Sequence, residues 1–150
     1  MYLKFDDGFN DYDLDFVRDL FSLLDEWLDR LQERIDECFD PDQWGLFDEA
    51  EYIAGMGFVA CQRYLASTYG SNDLRKDVAL ELGPHHSGGE SYASILHAAA
   101  NYWKHVDEWD ASAKITRDVA QLNDRQQRTI RIIESVTSWS DYTCRICCAN

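Results

Sequence analysis

The run LDFVRDLFSLLDEWLDRLQERIDEC, Leu14 to Cys38, decides the fold. Within it Leu14, Phe21, Leu28 and Ile35 recur at heptad spacing, as do Val17, Leu24, Leu31 and Cys38. That spacing gathers the apolar side chains into one unbroken stripe along a helix. The opposite face carries Asp15, Asp29 and Asp36 in one heptad row and Asp19, Glu26, Glu33 and Asp40 in the next. Asp11 or Asp13 is placed to cap the start, and Asp40-Pro41 to end the helix, because proline disfavours helical geometry in the residue before it.

Working outward, Asp48 followed three residues later by Glu51 predicts a capped second helix, with Ala50, Ile53, Ala54, Gly57, Phe58, Cys61, Tyr64 and Leu65 turned inward. Gly55 and Gly57 each lower its helicity by about 1 kcal/mol relative to alanine, so close contact with another helix is expected there. Gly70 is expected to supply a left-handed stop. A short helix over Asn72–Leu82, with Leu74, Val78 and Leu82 on one side, should end at Gly83-Pro84, and a glycine-rich loop runs on to Gly89.

Ser91 is expected to cap a third long helix with the stripe Tyr92, Ile95, Ala99, Tyr102, Val106 and Trp109. A last helix, bent or broken near Asn123-Asp124, is expected from about Thr116 to Val136. Val119, Leu122, Ile130, Ile133 and Val136 would face inward, and Arg117, Arg125, Arg128 and Arg131 outward, either to pack against the acidic first helix or to remain free for another partner. Together these elements predict an all-α protein. They read as a single helical domain over 1–150, an antiparallel bundle of about four to six helices with a short irregular C-terminus.

Charge is distributed unevenly. Of the net charge of -14, residues 1–51 contribute nearly all, with 17 Asp and Glu against 4 Lys and Arg. A field concentrated in this way speeds encounter with a basic protein and repels nucleic acid and anionic membrane. No apolar run approaches the length of a membrane span, and the N-terminal residues alternate aromatics with aspartates instead of forming a signal region. With an odd number of cysteines, two of them in helical stripes, a reduced, cytoplasmic setting is expected.

The side chains capable of chemistry do not assemble into a known set. His97 and His105 share a helix roughly 12 Å apart, too far to bind one metal ion. His97, Asn101, Lys104 and Glu108 line a polar strip that reads as a solvated face. His105 beside Trp109 reads as an edge-of-core residue. His85 and His86 are adjacent to Ser87, and neighbouring side chains diverge, which argues against a base and nucleophile pair. Cys144, Cys147 and Cys148 have half the spacing of a zinc site, and the blander reading is a segment tucked against the bundle through Ile146. No catalytic residue, metal or cofactor is therefore expected.

In size, acidity and lack of a catalytic set the chain resembles the acidic immunity proteins of bacterial toxin systems, including those of contact-dependent growth inhibition. The resemblance is one of class and carries no motif. It implies a protein-binding inhibitor that neutralises a basic, nuclease-like toxin domain, or another nucleic-acid enzyme, by occluding its active site. The residues expected to bind the partner are Asp15, Asp19, Glu26, Asp29, Glu33 and Asp36, with Trp27 and Trp44 as aromatic anchors and Tyr12 and Phe16 beside them. Direct binding of nucleic acid or membrane is not expected. Competing readings are a phage-encoded nucleic-acid mimic of anti-restriction type, a small helical metal-dependent hydrolase using the histidines and cysteines, and a homodimer formed through the heptads of the first helix.

Overall fold

The computed structural model describes residues 2–5, 8–116 and 122–137. Two short strands open the chain, β1 (Tyr2–Phe5) and β2 (Gly8–Asp11), paired antiparallel with Tyr2 opposite Asp11 and Phe5 opposite Gly8. Five helices follow among the described residues: α1 (Tyr12–Glu37), α2 (Leu46–Ser71), α3 (Lys76–Leu80), α4 (Tyr92–Thr116) and α5 (Asp124–Val136). The protein is all-α, as the sequence predicts. Both strands fall in the stretch before α1 where aromatics alternate with aspartates.

The helices pack in series. α1 lies on α2, α2 on α4, and α4 on α5, with the short α3 touching both α2 and α4. The heptad stripe of α1 supplies Leu24 and Leu31, which are buried with Leu46 and Ile53 of α2; Leu20, Leu28, Ile35, Cys38 and Ala50 surround them. A second core joins α4 to α5 through Ala98, Ile132 and Ile133, flanked by Ile95 and Tyr102. Between these cores α2 and α4 meet through small residues: the Trp103 indole lies over Gly55, in the space a Cβ would fill. On the other side of α2, Gly57 faces Phe21 and Leu24 of α1. The close contact expected at both glycines is therefore present.

The helix ends follow local hydrogen bonds, several of them away from the expected residues. Asp11 caps α1, its Oδ1 accepting from the Leu14 amide at 3.2 Å. α1 ends at Glu37, where the Cys38 amide turns back to the Ile35 carbonyl at 3.1 Å, ahead of Asp40-Pro41. α2 begins at Leu46, not after Asp48. The Leu46 amide donates to the Pro41 carbonyl, and Gly45 at φ 67° takes the left-handed step that starts the helix. Gly70 lies inside α2, and the left-handed residue beyond its end is Asp73, at φ 53°. An aspartate tolerates that conformation better than most non-glycine residues.

α3 is shorter than expected and rotated. Leu80 is buried, whereas Leu74, Val78 and Leu82 are exposed. Ser91 caps α4 as expected, accepting from the Ser94 amide at 3.0 Å, and its hydroxyl also donates to the Leu80 carbonyl. α4 runs on to Thr116, so the last helix starts later than Thr116, at Asp124. Asn123 accepts from the amides of Arg125 and Gln126, and the Gln126 side chain accepts from the Asn123 amide, a complete capping box. The buried face of α5 is Thr129, Ile132 and Ile133, beginning one residue earlier than the expected Ile130 stripe. Arg117, Val119 and the expected irregular C-terminus with Cys144, Cys147 and Cys148 lie outside the described residues.

Candidate functional site

The carboxylates chosen from the sequence stand on the side of α1 away from α2. Asp15, Asp19, Glu26, Asp29, Glu33 and Asp36 are all exposed. Among the described residues their internal neutralisation is slight. Arg18 reaches Asp15 at 3.4 Å and the Gln32 amide donates to Asp36 at 2.7 Å, but Arg34 turns to Glu49 of α2 at 2.8 Å. Arg30 spends its Nε on the backbone carbonyl of Glu26. No hydrogen bond or ion pair from the described residues reaches the side-chain carboxylates of Asp19, Glu26, Asp29 or Glu33. The arginines of α5 sit two helices away, because α5 packs on α4.

Beside the carboxylates runs an apolar edge. Tyr12, Phe16, Leu23 and Trp27 recur at helical spacing on one flank of α1, and each is at least 40% exposed. They form the part of the helix's apolar arc that α2 leaves uncovered. Leu23 was not among the expected residues; the four-heptad stripe drew attention to the buried seam and away from its margin. Trp44, 74% exposed, lies in the connection between α1 and α2. It is not a neighbour of Trp27 along the helix, since roughly 15 Å of helical rise separates Trp27 from the end of α1. Phe39, Phe47, Tyr52 and Met56 add exposed apolar surface around the same connection and on α2.

At the N-terminal end of α1 the edge meets a cleft of about 230 Å³ lined by Asp13, Phe16, Val17, Ala60, Arg63, Tyr64 and Ser67. Two hydrogen bonds lock its walls together. The Tyr64 hydroxyl donates to Asp11 Oδ2 at 2.8 Å, and Ser67 Oγ donates to Asp13 Oδ2 at 2.9 Å. Asp11 thus caps α1 with one oxygen and ties it to α2 with the other, which fixes the orientation of the acidic face.

The other candidates separate. His86 Nδ1 accepts from the Gly88 amide at 3.2 Å and its ring meets Tyr92 edge-on, so it shapes the loop it occupies; His85 is exposed. Ser91, the fully buried serine of this region, is occupied by the two bonds that join α3 to α4. His105 pairs with Glu108 at 3.3 Å, and the Trp109 side chain is outside those described. Among the described residues no three His, Cys, Asp or Glu side chains gather to hold a metal ion. Cys38 and Cys61 are free thiols, and burial pushes the Cys61 thiol up.

His97 departs most from its expectation. It is half-buried between α2 and α4, where the Gln62 side chain bridges it to Asn101 and Lys104. Burial first, and then the charges of Lys76, Lys104 and Arg128, push its pKa down to about 4, so the imidazole is neutral. Gln62 carries no periodic signal, and its partners lie 35 or more residues away. Among the described residues no helix is long and apolar enough to cross a membrane. No family model, curated protein or solved structure matches the chain.

Proposed function

We propose that the chain is an acidic protein-binding inhibitor, of the immunity type, that captures a basic partner on α1 and occludes its functional cleft. The observation that carries this reading is the pair of exposed carboxylate rows, only slightly neutralised by cations among the described residues, running beside the uncovered edge of Tyr12, Phe16, Leu23 and Trp27. The two halves of the surface act differently. Carboxylates raise the association rate of a cation-rich protein, and aromatic anchors supply most of the energy that holds it. A nuclease or other nucleic-acid enzyme presents the required basic cleft, and carboxylates spaced along a helix occupy the positions of its phosphates.

The heptad seam that a homodimer would use is buried against α2 within one chain, which favours a different protein as the occupant of the acidic side. The test is affinity capture from source cells with the wild-type chain and with the triple variant Glu26→Lys, Asp29→Lys, Glu33→Lys, followed by mass spectrometry. A basic nucleic-acid enzyme held by the wild type and lost by the variant is expected. Partners that are acidic, or that bind both proteins equally, refute the reading.

A further inference from the structure

The uncovered edge of α1 is one wall of a groove whose other wall is α2. Gly57 faces Leu24, which sets the register between the two helices. On α2, Glu49, Met56 and Arg63 recur at heptad spacing, with Tyr52 one turn before Met56. Contacts at both ends show that this row and the α1 edge share a side: Arg34 reaches Glu49 at 2.8 Å, and Phe16 and Arg63 line the same cleft. On α1, Arg34 lies one heptad beyond Trp27, and Leu23 one heptad beyond Phe16. Leu23, Trp27 and Met56 therefore fall between those two contacts. Phe16, Leu23, Trp27, Tyr52 and Met56 are all exposed.

The groove has a bounded length and a charged rim. Phe16 to Trp27 spans about 16 Å of helical rise, or about three turns. A polar group stands at each end, Arg63 in the cleft and the Arg34–Glu49 pair. The floor is the packed seam that includes Leu24, Ile53 and Gly57. Beside the α1 wall, on the side away from α2, run Asp15, Asp19, Glu26 and Glu33, all exposed. Beside the α2 wall, Tyr52 stands edge-on to the Trp103 ring of α4. One rim is therefore acidic and the other aromatic.

We propose that this groove receives an amphipathic helix of the partner, which lays apolar residues between α1 and α2 and sets lysines or arginines over the row of Asp15, Asp19, Glu26 and Glu33. Both walls are helices whose backbone groups are bonded within themselves, so an extended peptide would find no ladder to join, whereas a helix brings its own bonds. Apolar residues at i, i+4, i+7 and i+11 of such a helix cover the length from Phe16 to Trp27. Met56 lets the α2 wall adapt to more than one apolar shape. Because one rim alone is acidic, the basic flank of the incoming helix must lie over α1. A second copy of this chain is the poorer occupant, since it would bring carboxylates of its own to that rim. The proposal rests on the inhibitor reading for the partner's identity and adds the element of that partner which the groove holds.

The test is fluorescence anisotropy of labelled synthetic peptides against the full chain at physiological salt. The probes are an amphipathic peptide of about 15 residues with leucines at i, i+4, i+7 and i+11 and lysines on one flank, a scrambled peptide of the same composition, and a version with glutamates for the lysines. Saturable binding of the first is expected, with the other two at least about tenfold weaker. Met56→Ala and Trp27→Ala should each weaken it about tenfold with circular dichroism unchanged, and Val78→Ala, at an exposed apolar residue of α3, should not alter it. No saturable binding up to about 1 mM, equal binding of the scrambled or glutamate peptide, or Met56→Ala binding like the wild type overturns the proposal. A sedimentation mass of two chains that reverts on Met56→Ala also overturns it, by assigning the groove to a second copy. Affinity capture separates this proposal from the inhibitor reading. A basic enzyme held equally by wild type and Met56→Ala overturns the groove and leaves the inhibitor, whereas peptide binding as expected with no basic enzyme captured upholds the groove and removes the inhibitor.

Discussion

Gly55 of α2 and Trp103 of α4 are in such close contact that the indole occupies the volume of the missing Cβ, and the ring is held from its edge by Tyr52 at a centroid distance of 5.9 Å. Gly55→Ala therefore forces the ring or the helix to move. Overpacking of this kind costs about 1–3 kcal/mol and outweighs the roughly 1 kcal/mol that alanine gains in helix propensity. Gly57→Ala meets Leu24 and Phe21 at 3.4 Å, a contact flexible side chains can relax. Urea denaturation should show Gly55→Ala clearly destabilised and Gly57→Ala within about 1 kcal/mol of wild type.

Leu31 and Leu23 sit on the same helix with opposite surroundings, 2% and 42% exposed. Leu31→Ala should cost about 2–5 kcal/mol by opening a cavity between α1 and α2. Leu23→Ala should leave stability within about 0.5 kcal/mol and weaken partner binding instead. Thermal melts and affinity measured on the same two proteins check the separation. Equal stability losses would mean that the exposed edge belongs to the fold.

Charge reversal at Glu26, Asp29 and Glu33 should leave the melting temperature nearly unchanged, since no hydrogen bond or ion pair among the described residues depends on those carboxylates. Binding of a basic partner should slow on association, with dissociation much less affected, and the wild-type rate should fall steeply with added salt. Trp27→Ala should do the opposite, speeding dissociation with little effect on association. Surface plasmon resonance at two salt concentrations distinguishes the two effects. A salt-independent association rate would remove charge from the mechanism.

The neutral state of His97 has a pH signature. Its folded pKa of about 4 lies below the ordinary 6.5, so the unfolded chain binds more protons between those values. The associated stability is fully present above about pH 6.5 and is lost as pH falls towards 4. Solvent around the half-buried ring reduces the effect to roughly 1 kcal/mol. Stability curves for wild type and His97→Gln should converge between pH 7 and 4 as the wild-type contribution disappears. Parallel curves over that range would show that the ring titrates normally.

Where sequence periodicity coincided with burial, the reading and the fold agree. The heptads of Leu24 and Leu31, the Ser91 cap and the close approach at Gly55 were all legible, because each rests on a local rule or on an unbroken repeat. α3 was not, since five helical residues offer too little period to tell the exposed Val78 from the buried Leu80. The start of α2 was hidden because Gly45 and Pro41 set it through a backbone turn, while Asp48 offered a more familiar cap. Of the acidic face the carboxylates were legible, whereas its apolar margin depends on how far α2 wraps around α1. The bridge from Gln62 to His97 depends on tertiary pairing alone.

Serial packing has a kinetic consequence. Apart from the short α3, each helix rests on the helix before or after it along the chain, and α1 and α5 do not have to find each other across the molecule. Pairings between helices that follow one another in the chain keep contact order low, and helical proteins of this kind reach the folded state in about microseconds to milliseconds. A chain organised in this way can complete its α1–α2 core, and with it the exposed acidic face of α1, before α5 has left the ribosome.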